Sequence, residues 1–324
     1  MPQLTTPLVD SKLKLHNRLV MPPMATDKAD EDGKLTKATL EYYKEKSLGG
    51  HISLVIVEHS YIALEGKAGE RQMSVARDSD IEPLRELATI LHANGSKAAM
   101  QINHAGSKRK SGLGAVGPSA VAHPATQTVP ATLSLLQIQK IIEQFQASAL
   151  RTKKAGFDAV EIHAAHGFLL HQFYSPLTNH RTDEYGGGVY ARIRLHLQII
   201  EAIREAVGPG FPIMLRLGGS DYRTGGIAVE DSIVAAREFE KAGLDLLDIS
   251  GGFLGFMHPT SHKPGYFSDI SLPIMQAVDI PVLVTGGVTT RQQADDLLAR
   301  DVADLIGVGR AIMKDSLWAQ KAMT

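Results

Sequence analysis

The sequence predicts an α/β chain folded as a closed (β/α)8 TIM barrel, a single domain spanning residues 1–324. Three observations carry that expectation. Eight short apolar runs rich in Val, Ile and Leu recur along the chain, and helical patterns separate them. Two junctions, KKAGFDAVEI and EKAGLDLLDI, share one design: helix end, glycine, short link, strand. Continuous apolar runs suit strands buried on both faces of a parallel sheet. Eight such units close a barrel more readily than they fill an open doubly wound sheet, the competing architecture if one run is miscounted.

The runs are Leu19–Met24, Ser53–His59, Lys97–Asn103, Ala159–His163, Pro212–Leu217, Leu244–Ser250, Pro281–Gly286 and Asp304–Val308. Helical patterns occupy Leu84–Asn94, Ser134–Ala155, Val229–Ala242 and Arg291–Leu298. The first three stop at Gly95, Gly156 and Gly243, where a left-handed cap favours glycine. Long insertions follow the third strand (Ala105–Pro130) and the fourth (Gly167–Val189), and long loops in compact domains are often functional.

Composition narrows the function. Hydrophobic residues make up 44% and charged residues 21%, as in a globular chain with a sizeable core. A formal net charge of −1 gives no reason to expect nucleic acid or an anionic membrane as partner. The sequence has no cysteine, which excludes disulfides, thiolate metal sites and cysteine nucleophiles and fits a cytoplasmic protein. The N-terminus lacks the apolar core of about 7–15 residues that marks a signal peptide. No apolar run approaches the ~20 residues that span a bilayer.

In a barrel, chemistry gathers where strands end. Those positions here carry Pro22, Pro23 and Met24; Glu58 and His59; Gln101 and His104; His163 and His166; Arg216; Ser250; Gly286 and Gly287; and Gly309 and Arg310. After the seventh and eighth strands, VTGGVTT and GVGRAIM set glycines and an arginine beside helix starts, an arrangement suited to phosphate. Neither segment matches GxGxxG. Gln101 and Arg216 can meet the edge of a flat heterocycle, the arginine stabilising negative charge in the ring; on spacing alone a buried ion pair of Arg216 with Glu161 or Asp248 is slightly favoured. His163 and His166 converge only if the strand ends near His163 and the chain begins to coil. Thirteen histidines would give roughly half such a pair by chance, and metal ligation is the lesser reading because no ligand rhythm accompanies them. Side by side, two imidazole N–H groups polarise one substrate oxygen.

Read together, NRLVMPPM, VIVEHS, QINHAG, HAAHGFLLHQFYSPLTNHRTDEYGG and GVGRAIMKD resemble the Old Yellow Enzyme family of FMN-dependent oxidoreductases, in particular its bacterial, thermophilic-like ene-reductase branch. The resemblance covers nearly the whole chain. It implies FMN on the carboxyl-end rim, NADPH or NADH as electron donor, and hydride transfer to activated C=C bonds (enones, nitroalkenes) or to quinones in a ping-pong cycle. It places Pro23, Met24 and Ala25 along the flavin with the His59 backbone nearby, Gln101 at the pyrimidine edge, and Arg216 at the N1 and C2 carbonyl region. Gly287, Gly309 and Arg310 would hold the phosphate, and His163 and His166 the substrate's electron-withdrawing oxygen. The partner is a small molecule, and a homo-oligomer, dimer or tetramer, is compatible with it.

Three positions depart from the family pattern. Phe168 stands where a tyrosine normally protonates the substrate's α-carbon, so the resemblance leaves Tyr61, Tyr174, Tyr266 or water as donor, or an FMN protein of attenuated catalysis. Ala25 replaces a cysteine that tunes the flavin, and a substrate-holding tyrosine is absent near Asp27. A chain ending at Thr324 offers no C-terminal arginine to a neighbour's site. A barrel isomerase or aldolase is the remaining alternative, and an aldolase would need a Schiff-base lysine on a strand end, whereas Lys97 lies at the opposite end.

Overall fold

In a computed structural model describing residues 2–109 and 114–324, the chain closes an eight-stranded parallel barrel with interleaved helices. Residues 110–113, inside the insertion after the third strand, lie outside the described set. The strands are β1 (Leu19–Met21), β2 (Leu54–Tyr61), β3 (Lys97–Asn103), a two-residue pair β4 (Val116–Gly117) and β5 (Ala131–Thr132), then β6 (Ala159–Ala164), β7 (Ile213–Gly218), β8 (Leu246–Ser250), β9 (Val282–Thr285) and β10 (Leu305–Gly307). The barrel runs β1-β2-β3-β6-β7-β8-β9-β10 and shuts where Leu19 pairs with Ile306. The eight runs read from the sequence are these eight strands. β1 is shorter than expected because Pro22 and Pro23 cannot donate to a ladder.

Strand alternation divides the core in two. Val20, Leu54, Ile56, Ala99, Ala159, Met214, Leu246, Leu283 and Leu305 form one buried cluster, inside the barrel, with Leu8, Leu13 and Leu15 of the N-terminal segment. Leu8 and Leu15 exchange backbone hydrogen bonds of 2.9 and 2.8 Å, so a tight hairpin seals that end. The intervening strand residues, among them Val55, Met100, Ile162, Leu215 and Val284, join the larger cluster against the helices. Inward positions above the apolar layer are polar: Glu58, Gln101, Glu161, His163, Arg216, Asp248 and Ser250. Register sets Gln101 beside Glu161, His163 beside Arg216, and Arg216 beside Asp248.

Helices α1 (Lys37–Ser47), α2 (Ile81–Ala93), α3 (Leu135–Lys154), α4 (Leu169–Tyr174), α5 (Val189–Arg192), α6 (Arg194–Val207), α7 (Val229–Lys241), α8 (Ser268–Met275), α9 (Arg291–Ala299), α10 (Arg310–Lys314) and α11 (Trp318–Met323) complete the described fold. Gly95, Gly156 and Gly243 have φ of 86°, 88° and 98°, the left-handed stops their spacing predicts. Ser134 caps α3 in a box with Gln137, and Thr290 caps α9 with Gln293. Among the described residues no helix is long and apolar enough to cross a membrane.

One packing detail is costly. His196 of α6 is fully buried between Tyr174 and Phe239, with ring centroids 6.1 and 5.6 Å away, and neither nitrogen is in good hydrogen-bond geometry. Burial pushes its pKa down to about 3. The unfolded chain binds a proton near pH 6.5 that the folded chain refuses, so stability falls as pH drops from there towards 3. His196→Leu removes both penalties. Calorimetry should show a gain of about 1–2 kcal/mol at pH 8 and about 2 kcal/mol more at pH 5; an equal gain at both values would mean that folding does not depress the imidazole's pKa, and no gain at pH 8 that its nitrogens already find partners.

Candidate active site

The mouth of the barrel is organised by the turn that follows β6. His166 adopts φ of 59° and Gly167 φ of 75°, so the chain leaves the strand and doubles back. Several groups hold the turn. His171 Nδ1 accepts from the Gly167 N–H at 3.0 Å, while its Nε2 meets Asp221 at 3.1 Å, both side chains fully buried. Gln172 Nε2 donates to the Gly167 carbonyl at 2.7 Å, and His123 Nε2 lies 3.0 Å from the same oxygen. Coiling here brings His163 and His166 together, their ring centroids 5.1 Å apart and their planes at 86°. The condition set by their odd spacing is met: the strand ends at Ala164.

Both imidazoles are neutral. Burial drives each well below the usual range, seconded for His163 by His166 and for His166 by the Arg216 cation. His166 Nε2 lies 2.7 Å from Ser250 Oγ, whereas buried His163 Nδ1 has no hydrogen-bond partner. Around the pair stand Phe168, 4.8 Å from His163 between centroids, and His59, 6.1 Å from His163 and 5.2 Å from Phe168. Gln72 fixes His59 through Nδ1 (2.7 Å) and the backbone carbonyl (3.1 Å). Lys108, at the end of a single 3-10 turn (Gly106–Lys108), donates to the His166 carbonyl at 2.6 Å and sits 4.5 Å over the Phe168 ring.

Beneath the pair lies a polar floor. Gln101 Nε2 donates to Glu161 Oε1 at 2.7 Å, leaving Oε2 unpartnered. Arg216 Nε approaches Asp248 at 3.3 Å without forming a good hydrogen bond, and Nη2 reaches Ser250 Oγ at 3.5 Å. Burial raises the pKa of Glu161 well above the carboxylate range, with Asp248 adding to it, and raises Asp248 to about 6. Arg216 thus lies against Asp248, and the Nε that faces this carboxylate makes no well-formed hydrogen bond. Both amide atoms of Asn103 are also buried and unpartnered. Such orphans each cost about 1–3 kcal/mol, and their concentration on one surface fits a flat, polar ligand.

The front edge is the segment after β1. Thr26 donates its N–H and hydroxyl to the Glu58 carboxylate, the latter at 2.7 Å, which fixes Pro23, Met24 and Ala25 across the mouth. Burial raises Glu58 to about 7 against the pull of those hydrogen bonds. A methyl on Gly309 would stand 3.1 Å from Met24 Sδ and 3.3 Å from Pro22 Cγ, so the segments after β1 and β10 pack tightly here. Beside it, Gly287 has φ of 69° and lies under the Tyr266 ring, where a Cβ would meet ring carbons at 3.1 Å. Exposed Arg310 holds Tyr266 Oη loosely at 3.3 Å, reaches towards Met257 Sδ at 3.8 Å and lies 5.9 Å over the Phe256 ring. Helix α10 is too short for much dipole, so Arg310 and the loop N–H groups carry this end.

Ring contacts and hydrogen bonds thus bring His59, His163, His166, Phe168, Arg216 and Ser250 together, and Ala25 is exposed. His104 does not join them: its ring packs against Gly66, under the loop after β2. None of the three alternative tyrosines turns its hydroxyl to the histidines. Tyr61 Oη donates to the Asp32 carbonyl (2.7 Å), Tyr174 Oη meets Ser232 (2.9 Å), and Tyr266 donates to the Phe256 carbonyl (2.5 Å). Sequence reasoning missed Lys108 and Asn103. Asn103 ends β3 two residues after Gln101 and shares its face, a signal that was available; Lys108 sits in a loop without periodicity.

The profile of the NADH:flavin oxidoreductase / NADH oxidase family matches residues 3–324. Among curated relatives, an NADH oxidase of Thermoanaerobacter brockii is 37% identical over 320 residues, covering 96% of this chain and 49% of its own length. This chain therefore spans about half of that relative. An NADPH dehydrogenase of Bacillus cytotoxicus is 36% identical over 321 residues, covering 99% of this chain and 92% of its own. Similar solved structures include morphinone reductase in complex with tetrahydroNAD (TM-score 0.84, 25% identity, 99% of this chain and 92% of that one). An old yellow enzyme homologue from Zymomonas mobilis has TM-score 0.86 and 26% identity over 99% and 93%. A 2-naphthoyl-CoA reductase complex superposes with TM-score 0.92 and 25% identity, over 98% of this chain and 52% of that one.

Two glycines test how tightly the turn is built. Gly156 has φ of 88° and open space where a methyl would project, whereas a Cβ on Gly167 would lie 2.6 Å from His123 Nε2 and 3.0 Å from Phe253. Gly156→Ala should lose only the positive-φ penalty of about 1–2 kcal/mol in urea unfolding. Gly167→Ala should lose clearly more; equal losses would show that the turn yields freely.

Proposed function

The chain belongs to the NADH:flavin oxidoreductase / NADH oxidase family, and from that premise we propose that it holds FMN across the barrel mouth, takes electrons from NADH or NADPH, and reduces activated C=C bonds or quinones. The observation that carries this reading is a pair of neutral imidazoles, 5.1 Å apart, standing above a floor of unpartnered buried polar groups. The residues present fit the cofactor. Gln101, Asn103 and Arg216 offer the hydrogen bonds a pyrimidine edge needs, Arg216 adding a charge that favours an electron-rich ring. Pro23, Met24, Ala25 and the His59 backbone would lie along the ring. Backbone N–H groups at Gly287 and Gly309 would meet the phosphate, with the exposed Arg310 leaving its 3.3 Å contact with Tyr266 Oη to join them. When bound, FMN supplies two-electron hydride chemistry between the nicotinamide and the acceptor.

The remaining work falls to the chain. His163 and His166 each bring one N–H to a carbonyl, nitro or quinone oxygen, stabilising the negative charge that develops there as hydride arrives. Because burial keeps both neutral, their donor capacity stays constant across the physiological range. Phe168 and His59 wall the pocket with ring faces and exclude water. The absence of a hydroxyl on Phe168 favours a second reading, in which nitroalkenes and quinones, whose products tolerate negative charge, are turned over faster than enones.

Purified protein should be yellow, bleach anaerobically with NADPH or NADH, and regain colour with 2-cyclohexenone or menadione; protein that stays colourless with added FMN would overturn the proposal. Replacing His163 and His166 together by Ala should abolish the phenol charge-transfer band while FMN remains bound, and an unchanged phenol titration would remove their assigned role. Arg310→Ala should weaken FMN binding about 10- to 100-fold, the worth of one or two charge-assisted hydrogen bonds, measured by fluorescence titration of the apoprotein.

A further inference from the structure

Adding hydride to one carbon of a C=C bond leaves an electron pair on its neighbour, and the product forms only when a proton reaches that carbon. The groups around the mouth narrow the source of that proton. His163 and His166 are neutral and, on the function proposed above, donate to the acceptor's oxygen. The hydroxyls of Tyr61, Tyr174 and Tyr266 are committed elsewhere. Glu58 is held by Thr26 at the front edge, and Glu161 lies in the floor beside Gln101.

We propose that Lys108 is the acid of this site, delivering an Nζ proton to the α-carbon of the bound acceptor across the face of Phe168. Its ammonium stands 4.5 Å from the centre of the Phe168 ring, which itself packs 4.8 Å from His163, and the His166 carbonyl anchors it at 2.6 Å. That anchor uses one of three N–H groups, and among the described residues no carboxylate pairs with it. Phe168 is then a platform: cation–π attraction holds the charged amine where the acceptor must lie. Groups facing Lys108 are His123 from the insertion after β3, His163 from β6, and His166 from the following turn, none of them anionic. Burial lowers the Lys108 pKa to about 8, so the ammonium persists at neutral pH and gives up a proton far more readily than a solvated lysine.

The step balances. The Nζ–H bond breaks with its electrons left on nitrogen, a C–H bond forms from the α-carbon electron pair, and solvent reprotonates the neutral amine. This inference rests on the ene-reductase reading and can fail separately from it. Stopped-flow reoxidation should be compared for 2-cyclohexenone, which needs the proton, and menadione, which needs it far less. In Lys108→Met the cyclohexenone-to-menadione rate ratio should fall about 100-fold or more. Lys108→Arg keeps the charge but cannot release a proton, and should lose as much; adding Phe168→Tyr to Lys108→Met should recover much of the ratio. In the unsubstituted protein the cyclohexenone rate should decline as pH rises through about 8, the Lys108 value. Amine acetylation mapped by mass spectrometry should find Lys108 half-reactive near the same pH, below surface lysines. An unchanged ratio in Lys108→Met, full activity in Lys108→Arg, or acetylation at the pH of surface lysines would each overturn the assignment. No bleaching by either nicotinamide would instead overturn the broader reading.

Discussion

A closed parallel barrel gives each strand side chain two destinations, and the two-residue repeat allocates them. Here the inward set changes character along every long strand. Leu54 and Ile56 give way to Glu58, Ala99 to Gln101 and Asn103, Ala159 to Glu161 and His163, Met214 to Arg216, and Leu246 to Asp248 and Ser250. Slipping one register by a single residue would send the polar members against the helices and turn Val, Ile and Leu into the mouth. The apolar half of each strand therefore fixes where its polar half stands. The site is a by-product of the core's own packing rule.

Charge in the mouth follows from the same burial. Arg216 is offset by Asp248, while Glu161 is pushed towards its neutral form. The imidazoles are held neutral, and among the described residues Lys108 keeps its charge against the His166 carbonyl and the Phe168 ring face. The region is thus short of anions. A ligand bringing negative charge, in a phosphate or in an electron-rich ring, relieves that imbalance instead of adding to it.

Much of this was legible in the sequence, and the rest was hidden for identifiable reasons. Strands announced themselves as apolar runs, and Gly95, Gly156 and Gly243 marked helix ends through the one conformation that favours them. The convergence of His163 and His166 followed from their spacing once a strand end was assumed. Helix α1 gave no apolar stripe because its buried face is Thr39, Tyr43, Lys46 and Ser47. Helix α6 did carry one, in Leu195, Ile199, Ile200, Ile203 and Val207, yet it falls outside the four helical patterns recognised from the sequence. Lys108 had no local signal, since its position depends on contacts with His166 and Phe168, far along the chain. Spacing alone slightly favoured an ion pair for Arg216 over a ring contact, and the fold sets its Nε 3.3 Å from Asp248.

The leucine hairpin at the foot of the barrel has a consequence for traffic. With Leu8, Leu13 and Leu15 packed into the same cluster as Val20, Ile56 and Met214, that end is stoppered by hydrocarbon. On the proposed function, electron donor and electron acceptor would share one doorway. Each would vacate before the other entered, so crowding by either would throttle the queue.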